Sequence, residues 1–306
     1  MLDTTLRIRG TLLGLAAGEA LGAPLEFMSP NQIQIKHATV VEMVGGGWLG
    51  LRPGEGSDDT AMALALASSL VEKKGLDVAD VVSRYLAWYR KGPKGIANTV
   101  RAALAYAEQG LAPGEASRRV WEESGESADD NGAIARAAPL GVYYHRDTRV
   151  LLRAAMEEAR ITHHDPRAGS GSASLALLLA GILGGAPDRK ALVDAANATL
   201  IENEEGVQAI LPDVGAKTVA DLRPTENIVD TIETALVCFL KTSSFRDCLV
   251  TAVNLGGSSA TVGAVAGSLA GCWYGADAIP ASWLSVLADR NRIEQITRQL
   301  AKAATA

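Results

Sequence analysis

Apolar residues recur at intervals of three and four positions along most of the chain, and no convincing stretch alternates apolar and polar residues. This periodicity predicts an all-α fold, interrupted by segments rich in glycine and proline. The predicted helices lie near residues 5–23, 58–74, 77–91, 97–110, 131–141, 148–160, 169–184, 188–199, 226–241, 244–254, 258–273 and 290–304.

Two of the predicted helices carry glycine at every fourth position, which places these residues on one helix face. They are Gly10, Gly14, Gly18 and Gly22 in the first helix and Gly263, Gly267 and Gly271 in the later one. Glycine inside a helix costs about 0.5–1 kcal/mol relative to alanine, so two such rows need a reason. We expect the two helices to pack with their backbones nearly in contact, with the end of the first near the start of the later one.

The composition favours a globular protein with a large interior. The chain has 306 residues, 48% of them hydrophobic and 21% charged, and we expect one domain over residues 1–306. The net charge of −6 argues against binding to nucleic acid or anionic lipid. Residues 248–276 lack charged side chains, but their Gly, Ser and Ala content and the Gly256-Gly257 break argue against a membrane span.

The cysteines and the N-terminal segment bear on the compartment. Cys238, Cys248 and Cys272 lie in apolar helical surroundings, and an odd number without metal-type spacing argues against a disulfide framework. The segment MLDTTLRIRG lacks the features of a secretory signal. We therefore expect buried thiols and a cytoplasmic location.

Several short stretches could carry chemistry. Ser57, Asp58 and Asp59 open a helix, where they either cap it or bind a hard divalent cation such as Mg²⁺ or Mn²⁺ through oxygen. Glu19 and Glu26 flank the end of the first helix, as solvated acids or as general acid/base or ligand-orienting groups.

Two further stretches have a structural and a functional interpretation. Asn131-Gly132 is typical of a turn that leads into a helix. His163 and His164 precede Asp165 in a segment that could reach a ligand, although adjacent histidines on a helix point in different directions. The chain contains neither a nucleophile elbow nor a Walker or dinucleotide fingerprint.

Taken together, these stretches resemble the ADP-ribosylglycohydrolase family. The motifs are GTLLGLAAGEALGAPLEFM, MVGGGWLGLRPGEGSDDTAMALALASSL, DDNGAIARAAPLG, RITHHDP and AVNLGGSSATVGAVAGSLAGCWYGADAIPASWL, which occur in order from about residue 7 to 300. The likeness is greatest to nitrogenase-regulating members of the family. The resemblance implies a compact all-helical single domain whose cleft binds ADP-ribose beside two Mg²⁺ or Mn²⁺ ions. It also implies hydrolysis of an N- or O-glycosidic bond between ADP-ribose and an acceptor.

The resemblance implies roles for individual residues where the motifs match. They are, as catalytic residues, Glu26 and Asp59; as substrate-binding residues, Glu19, Asn131, Gly132, Thr162, His163, Gly256, Gly257 and Ser258; and as metal-binding residues, Ser57, Asp58, Asp59 and Thr261. Glu19 stands where the family usually has aspartate.

The departures from the family pattern fall on the metal site. The second metal motif reads Gly-Gly-Asp-x-Asp-Thr in the family, whereas residues 256–261 here read GGSSAT. Gly95 stands where the nitrogenase-regulating members have a further aspartate. Asp58 and Asp59 supply a charge of −2 against the +4 of two divalent ions. We expect one bound ion at most, with Glu19, Glu26, Asp129 and Asp130 as the candidates for compensation.

Two functions follow from the resemblance. One is a hydrolase with a reduced metal site, acting on ADP-ribose or a related ribosyl group attached to an acceptor, or shifted to another substrate that it cleaves with different acids. The alternative is a catalytically impaired pseudoenzyme that binds an ADP-ribose-like nucleotide as a sensor or partner-binding module. Both take ADP-ribose or an ADP-ribosylated substrate as the partner.

Overall fold

The computed structural model describes residues 2–126 and 130–305. Over these ranges the chain is helical and contains an isolated antiparallel bridge between Gly46 and Leu51. The predicted all-α fold is confirmed. None of the helices in the described ranges is long and apolar enough to cross a bilayer.

The α-helices are α1 (Thr4–Gly22), α2 (Pro30–His37), α3 (Asp58–Lys73), α4 (Val78–Tyr89), α5 (Asn98–Glu108), α6 (Pro113–Glu123), α7 (Ala138–Tyr143), α8 (Thr148–Ala159), α9 (Pro166–Leu183), α10 (Arg189–Glu202), α11 (Ile228–Lys241), α12 (Phe245–Val253), α13 (Ser259–Tyr274), α14 (Ala281–Val286) and α15 (Arg290–Thr305). Short 3₁₀ turns occupy Ala23–Leu25, Ala135–Ala137, Val219–Asp221 and Ala276–Ala278.

The periodicity missed three helices, α2, α6 and α14, and each of them has a proline where it begins. Pro30 and Pro113 occupy the first helical positions of α2 and α6, and Pro280 is the N-cap of α14. Proline is well suited to the first turn because it lacks only an N–H that would be unpaired there. The predicted helix over 131–141 was also too long, because helix α7 begins only at Ala138.

Contacts divide the chain into two units. The first unit comprises Met1–Thr60 and Leu211–Arg298, and the second comprises Ala61–Ile210 and Gln299–Ala306. The description as one domain stays a prediction.

In the first unit, α1 and α13 pack antiparallel along their glycine rows. A Cβ atom on Gly14 would lie 2.2 Å from the Gly267 carbonyl oxygen, and one on Gly18 would lie 1.9 Å from that of Gly263. At the end of this contact the Ser259 hydroxyl donates to the Gly22 carbonyl at 2.9 Å. The expected backbone contact, with the end of α1 beside the start of α13, is confirmed.

In the second unit, α9 packs against α7, α8 and α10. The interior of this unit is mostly Ala, Leu and Ile, but it also holds Arg136, Glu158, Thr162 and His163, all of which are fully buried. Buried polar groups need partners, so this part of the core must contain an internal hydrogen-bond network.

The three cysteines are free and buried, as predicted. Burial raises the pKa of Cys238 and of Cys272 to about 12, so these thiols stay protonated at neutral pH. We infer that they serve as small apolar core residues.

Candidate functional site

The start of α3 is held by Glu19, which lies 38 residues earlier in the sequence. The backbone N–H and the hydroxyl of Ser57 both donate to Glu19 Oε1 at 2.8 Å. The N–H groups of Asp59 and Thr60 donate to Oε1 and Oε2, each at 3.1 Å. Glu19 therefore acts as a cap from another helix, satisfying N–H groups that have no partner inside α3.

The position of Glu19 also explains why residue 56, directly before the Ser57-Asp58-Asp59 motif, is glycine. A Cβ atom on Gly56 would lie 2.5 Å from Glu19 Oε2, so a side chain there would displace the carboxylate. The Ser57 hydroxyl turns its hydrogen toward Glu19, which leaves its oxygen lone pairs as acceptors. The assignment of Glu19 to substrate binding stays a prediction, and the structure shows its carboxylate, fully buried, engaged with α3.

Asp59 is a buried acid surrounded by other acids. Its pKa is raised well above the usual range, first by burial and then by the negative charges of Glu19, Asp58 and Glu26, while the Thr261 side chain partly offsets the rise. Such a cluster holds more negative charge than its surroundings compensate, which favours a bound proton or cation.

Glu26 is a second acid with a raised pKa. Burial is the main cause and the charge of Asp58 adds to it, bringing the pKa to about 8, although the Ala260 N–H donates to Glu26 Oε2 at 2.6 Å. Because Oε2 accepts this bond, the proton of the neutral acid resides on Oε1. Glu26 lines a surface cavity and is therefore reachable by a ligand.

Gly256 and Gly257 shape the backbone beside Glu26. Both have positive φ angles, of 71° and 60°, and a Cβ atom would lie 2.0 Å from the Met28 carbonyl oxygen or 1.9 Å from that of Pro224. Gly257 also exchanges backbone hydrogen bonds with Phe27 and Met28 at 2.8 and 2.9 Å. The close approach requires glycine at both positions, and their predicted contact with substrate stays a prediction.

Position 260, where the resemblance expects an aspartate, is part of an apolar cluster. Ala260 packs with Ala23 and Leu51, and Leu49 covers the group. The neighbouring Ser258 is also buried, and its N–H donates to the Pro224 carbonyl oxygen at 2.8 Å. Ala260 therefore places an apolar methyl group among apolar neighbours where the resemblance expects a carboxylate.

The second unit contains a buried ion pair that sequence reasoning missed. Arg136 Nε donates to Glu158 Oε1 at 2.8 Å, and both side chains are fully buried. The Tyr85 hydroxyl donates to the same oxygen at 2.7 Å. No local sequence pattern predicts this group, because Tyr85, Arg136 and Glu158 come from α4, the 3₁₀ turn at Ala135–Ala137, and α8.

A directed chain of hydrogen bonds leads from this ion pair to Asp130. Arg136 Nη2 donates to the Thr162 hydroxyl at 2.8 Å, so the Thr162 proton is free to point at His163 Nδ1, also at 2.8 Å. His163 Nε2 then donates to Asp130 Oδ1 at 2.8 Å. In this order the hydrogen on His163 Nε2 faces Asp130, and the Thr162 hydroxyl contacts Nδ1.

Asp130 ends the chain and is partly exposed. The Gly132 N–H donates to Oδ1 at 3.2 Å, and the Thr99 hydroxyl donates to Oδ2. The charge of His163 and these hydrogen bonds outweigh burial and hold the pKa of Asp130 well below its usual range. Asp130 is thus kept ionised.

The structure groups the predicted site residues in two places. The first unit brings together Glu19, Glu26, Ser57, Asp58, Asp59 and Thr261 with Gly256, Gly257 and Ser258, and the second unit holds Asn131, Gly132, Thr162 and His163. Both ring nitrogens of the buried His163 are engaged within the protein, and the partly exposed group beside it is Asp130. Asp129 lies outside the described residues.

The donor set of the first unit consists of oxygen atoms, the ligand type that divalent cations such as Mg²⁺ prefer. Two carboxylates, from Asp58 and Asp59, lie beside hydroxyl oxygens of Ser57 and Thr261, and oxygen donors of this kind suit Mg²⁺ or Mn²⁺. Among the described residues no three His, Cys, Asp or Glu side chains are arranged to hold an ion. The raised pKa of Asp59 is an effect that a cation would relieve.

Comparison with known proteins identifies the family. The model of the ADP-ribosylglycohydrolase family matches residues 2–306. The chain is 35% identical to the ADP-ribosyl-[dinitrogen reductase] glycohydrolase of Rhodospirillum rubrum, over 96% of this chain and 94% of that protein. It is 30% identical to the ADP-ribosylarginine hydrolase Tri1 of Serratia proteamaculans, over 96% and 78% of the two chains.

A solved structure supports the same assignment. A chain of an ADP-ribosylglycohydrolase-related protein complex superimposes with a TM-score of 0.83 and is 34% identical. The match covers 99% of each chain. The all-helical, ADP-ribosylglycohydrolase-like fold predicted from the resemblance is therefore confirmed.

Proposed function

The chain belongs to the ADP-ribosylglycohydrolase family, and on this basis we propose that it hydrolyses the N-glycosidic bond between ADP-ribose and an arginine side chain. The bacterial relatives named above act on ADP-ribosylated dinitrogen reductase and on ADP-ribosylarginine, and the match spans 96% of this chain in both cases. The observation that carries the proposal is Glu26, a carboxyl group that lines a cavity and whose pKa of about 8 is raised by burial and by the charge of Asp58.

The chemistry needs a proton for the leaving nitrogen and a water for the ribose carbon. In the reaction the bond from the ribose C1′ to the guanidine nitrogen breaks, and a bond from C1′ to the water oxygen forms. Glu26 is neutral at pH 7 because its pKa is about 8, so it can donate the proton on Oε1 to the leaving group. As a carboxylate it can take a proton from water and so return to its starting form.

The family uses divalent metal ions, and we propose that this chain holds one, through Ser57, Asp58, Asp59 and Thr261. When bound, such an ion supplies Lewis-acid polarisation of ribose hydroxyls or of water. Glu19 positions the first three of these residues through its bonds to the start of α3. The apolar surroundings of Ala260 support a single ion, because they lack a carboxylate where the family motif has one.

Turnover of ADP-ribosylarginine with Mg²⁺ or Mn²⁺ tests this function. We expect the wild-type chain to release ADP-ribose and calorimetric titration to give one tight site. Two ions bound with micromolar or better affinity would contradict the single-ion proposal. The alternative, a pseudoenzyme that only binds the nucleotide, is supported if the wild-type chain is inactive and a Ser258→Asp/Ala260→Asp double variant gains activity. The melting temperature of that variant must be checked, since Ala260 is buried in an apolar cluster.

A further inference from the structure

Exposed apolar side chains are concentrated in one short segment. Nine large apolar residues are exposed in the described chain, and five of them lie between residues 27 and 48. Three form what we call the apolar surface: Phe27, Ile35 and Trp48, which are 57%, 86% and 61% exposed. The rings of Phe27 and Trp48 are in contact, with centroids 5.6 Å apart. Grouped exposure of this kind marks an interaction site more often than scattered exposure does.

The exposure of Phe27 is imposed by the backbone. Phe27 has a φ of 65°, a conformation that is rare and costly for a bulky residue. It is held there by the Gly257 carbonyl, which accepts from the Phe27 N–H at 2.8 Å, and by the Gly257 N–H, which donates to the Met28 carbonyl at 2.9 Å. The folded chain thus retains backbone strain at Phe27 while its aromatic side chain stays at the surface.

The apolar surface continues into the cavity that contains Glu26. This cavity has a volume of about 520 Å³, and both Ile35 and Trp48 line it together with Glu26. The remaining lining residues are Pro24, Met28, Gln32, Lys36 and Gly47. A group bound at Glu26 therefore has apolar side chains directly beside it, with the polar side chains of Gln32 and Lys36 in the same wall.

The surface extends beyond what a small acceptor can cover. A cavity of this size accommodates a ligand no larger than a drug-sized molecule. Phe27 does not line the cavity, yet it contacts Trp48, which does, so the apolar area runs from the cavity out onto the open surface. An occupant that covers both must reach from the catalytic carboxyl to the exterior, as a polypeptide that carries a modified side chain does.

We propose that the apolar surface binds the protein chain that carries the ADP-ribosyl group, at the residues that flank the modified side chain. The proposal rests on the proposed function, because Glu26 places the scissile bond in the adjoining cavity. It makes a protein a better substrate than free ADP-ribosylarginine. Phe27, Ile35 and Trp48 then determine specificity and take no part in the bond-breaking step.

The experiment compares two substrates in three variants. Ile35→Ala and Trp48→Ala remove exposed side chains of the surface, and Ile201→Ala, at the end of α10 and 68% exposed, is the matched control. The substrates are an arginine-ADP-ribosylated protein and free ADP-ribosylarginine. We expect Trp48→Ala to lower kcat/KM for the protein about 10-fold through KM, as for an aromatic contact residue, and Ile35→Ala to lower it less. The loss on the small substrate should be several-fold smaller, because Ile35 and Trp48 contact it only through the cavity wall beside Glu26, and the control changes neither.

Equal losses on both substrates, or no loss on either, would overturn the proposal. Self-association in sedimentation that Trp48→Ala abolishes, with an unchanged KM for the protein substrate, would show instead that a second copy occupies the surface. If the wild-type chain hydrolyses neither substrate, the proposed function fails separately. The docking surface is then judged by direct binding of the modified protein, which Trp48→Ala must weaken while Ile201→Ala does not.

Discussion

Glu26 in the first unit and Asp130 in the second are both partly exposed acids at the ends of buried networks, yet their surroundings act on them in opposite directions. Around Glu26 the desolvation of the carboxyl and the charge of Asp58 prevail, and the pKa rises to about 8. Around Asp130 the donors His163, Thr99 and Gly132 prevail, and the pKa falls. The sign of the neighbouring charge, from His163 beside Asp130 and from Asp58 beside Glu26, and the number of donors together decide the outcome, since both groups are substantially desolvated.

The same contrast extends to the networks behind these acids. In the first unit, the charged groups that shift the pKa values of Asp59 and Glu26 are other carboxylates, with no cationic side chain among them. The second unit pairs its buried carboxylate, Glu158, with Arg136. Removing a charge should therefore cost activity in the first unit and stability in the second, and four changes test this difference.

The largest effect is expected for Asp59→Asn. Loss of this carboxylate should lower kcat/KM by about 10³-fold or more, in the range typical of catalytic acids and bases. In EDTA the melting temperature should stay the same or rise, because the change removes repulsion from Glu19 and Asp58. A clear fall in melting temperature with retained activity would show that Asp59 is a structural residue.

Glu158→Gln, in the second unit, should instead lower the stability of the chain. It leaves the buried Arg136 guanidinium without its carboxylate, which should lower the free energy of unfolding by about 3–5 kcal/mol. Urea denaturation measures the loss. Glu157→Gln is the control, because Glu157 is the exposed neighbour on the same helix. A cost below about 1 kcal/mol would mean that the buried pair does not stabilise this unit.

This contrast also separates what sequence could predict from what it could not. The contact between α1 and α13 could be predicted from their glycine rows, because residues four positions apart lie on the same face of a helix. The Ser57-Asp58-Asp59 motif was found because its residues are adjacent. The network from Arg136 to Asp130 was missed, because its members are separated in sequence and each is an ordinary residue by itself.

The pH dependence of stability gives the third test. The pKa of Glu26 is about 8 in the folded chain against an ordinary value of 4.5, so the unfolded chain releases this proton first. Stability should therefore fall as pH rises from about 4.5 to 8, by a few kcal/mol at most, since one pKa unit corresponds to about 1.4 kcal/mol. Glu26→Gln should flatten this slope in metal-free melting curves, and an unchanged slope would contradict the raised pKa.

The smallest effect is expected for Asp130→Asn, and it has the opposite sign. The pKa of Asp130 is depressed in the folded chain, so its stabilisation is present above the ordinary value of 3.8 and is lost as pH falls below it. The variant should lower stability at pH 7 by about 1–2 kcal/mol, because it weakens bonds from His163 and Thr99 to a charged acceptor. Denaturation at pH 7 and pH 3 should show the difference shrinking with acidity. A difference that grew with acidity would contradict the assignment.

The glycine contact between α1 and α13 has a consequence for the order of synthesis and folding. The residues that it joins, such as Gly22 and Ser259, are 237 positions apart. Bringing together residues so far apart in sequence costs conformational entropy before any favourable contact forms. Contacts of high sequence separation therefore form slowly. The first helix therefore leaves the ribosome long before its partner exists, with a glycine face that no side chain covers. The contacts of Glu26 with Ser259 and Ala260 can therefore form only when nearly the whole polypeptide has been made.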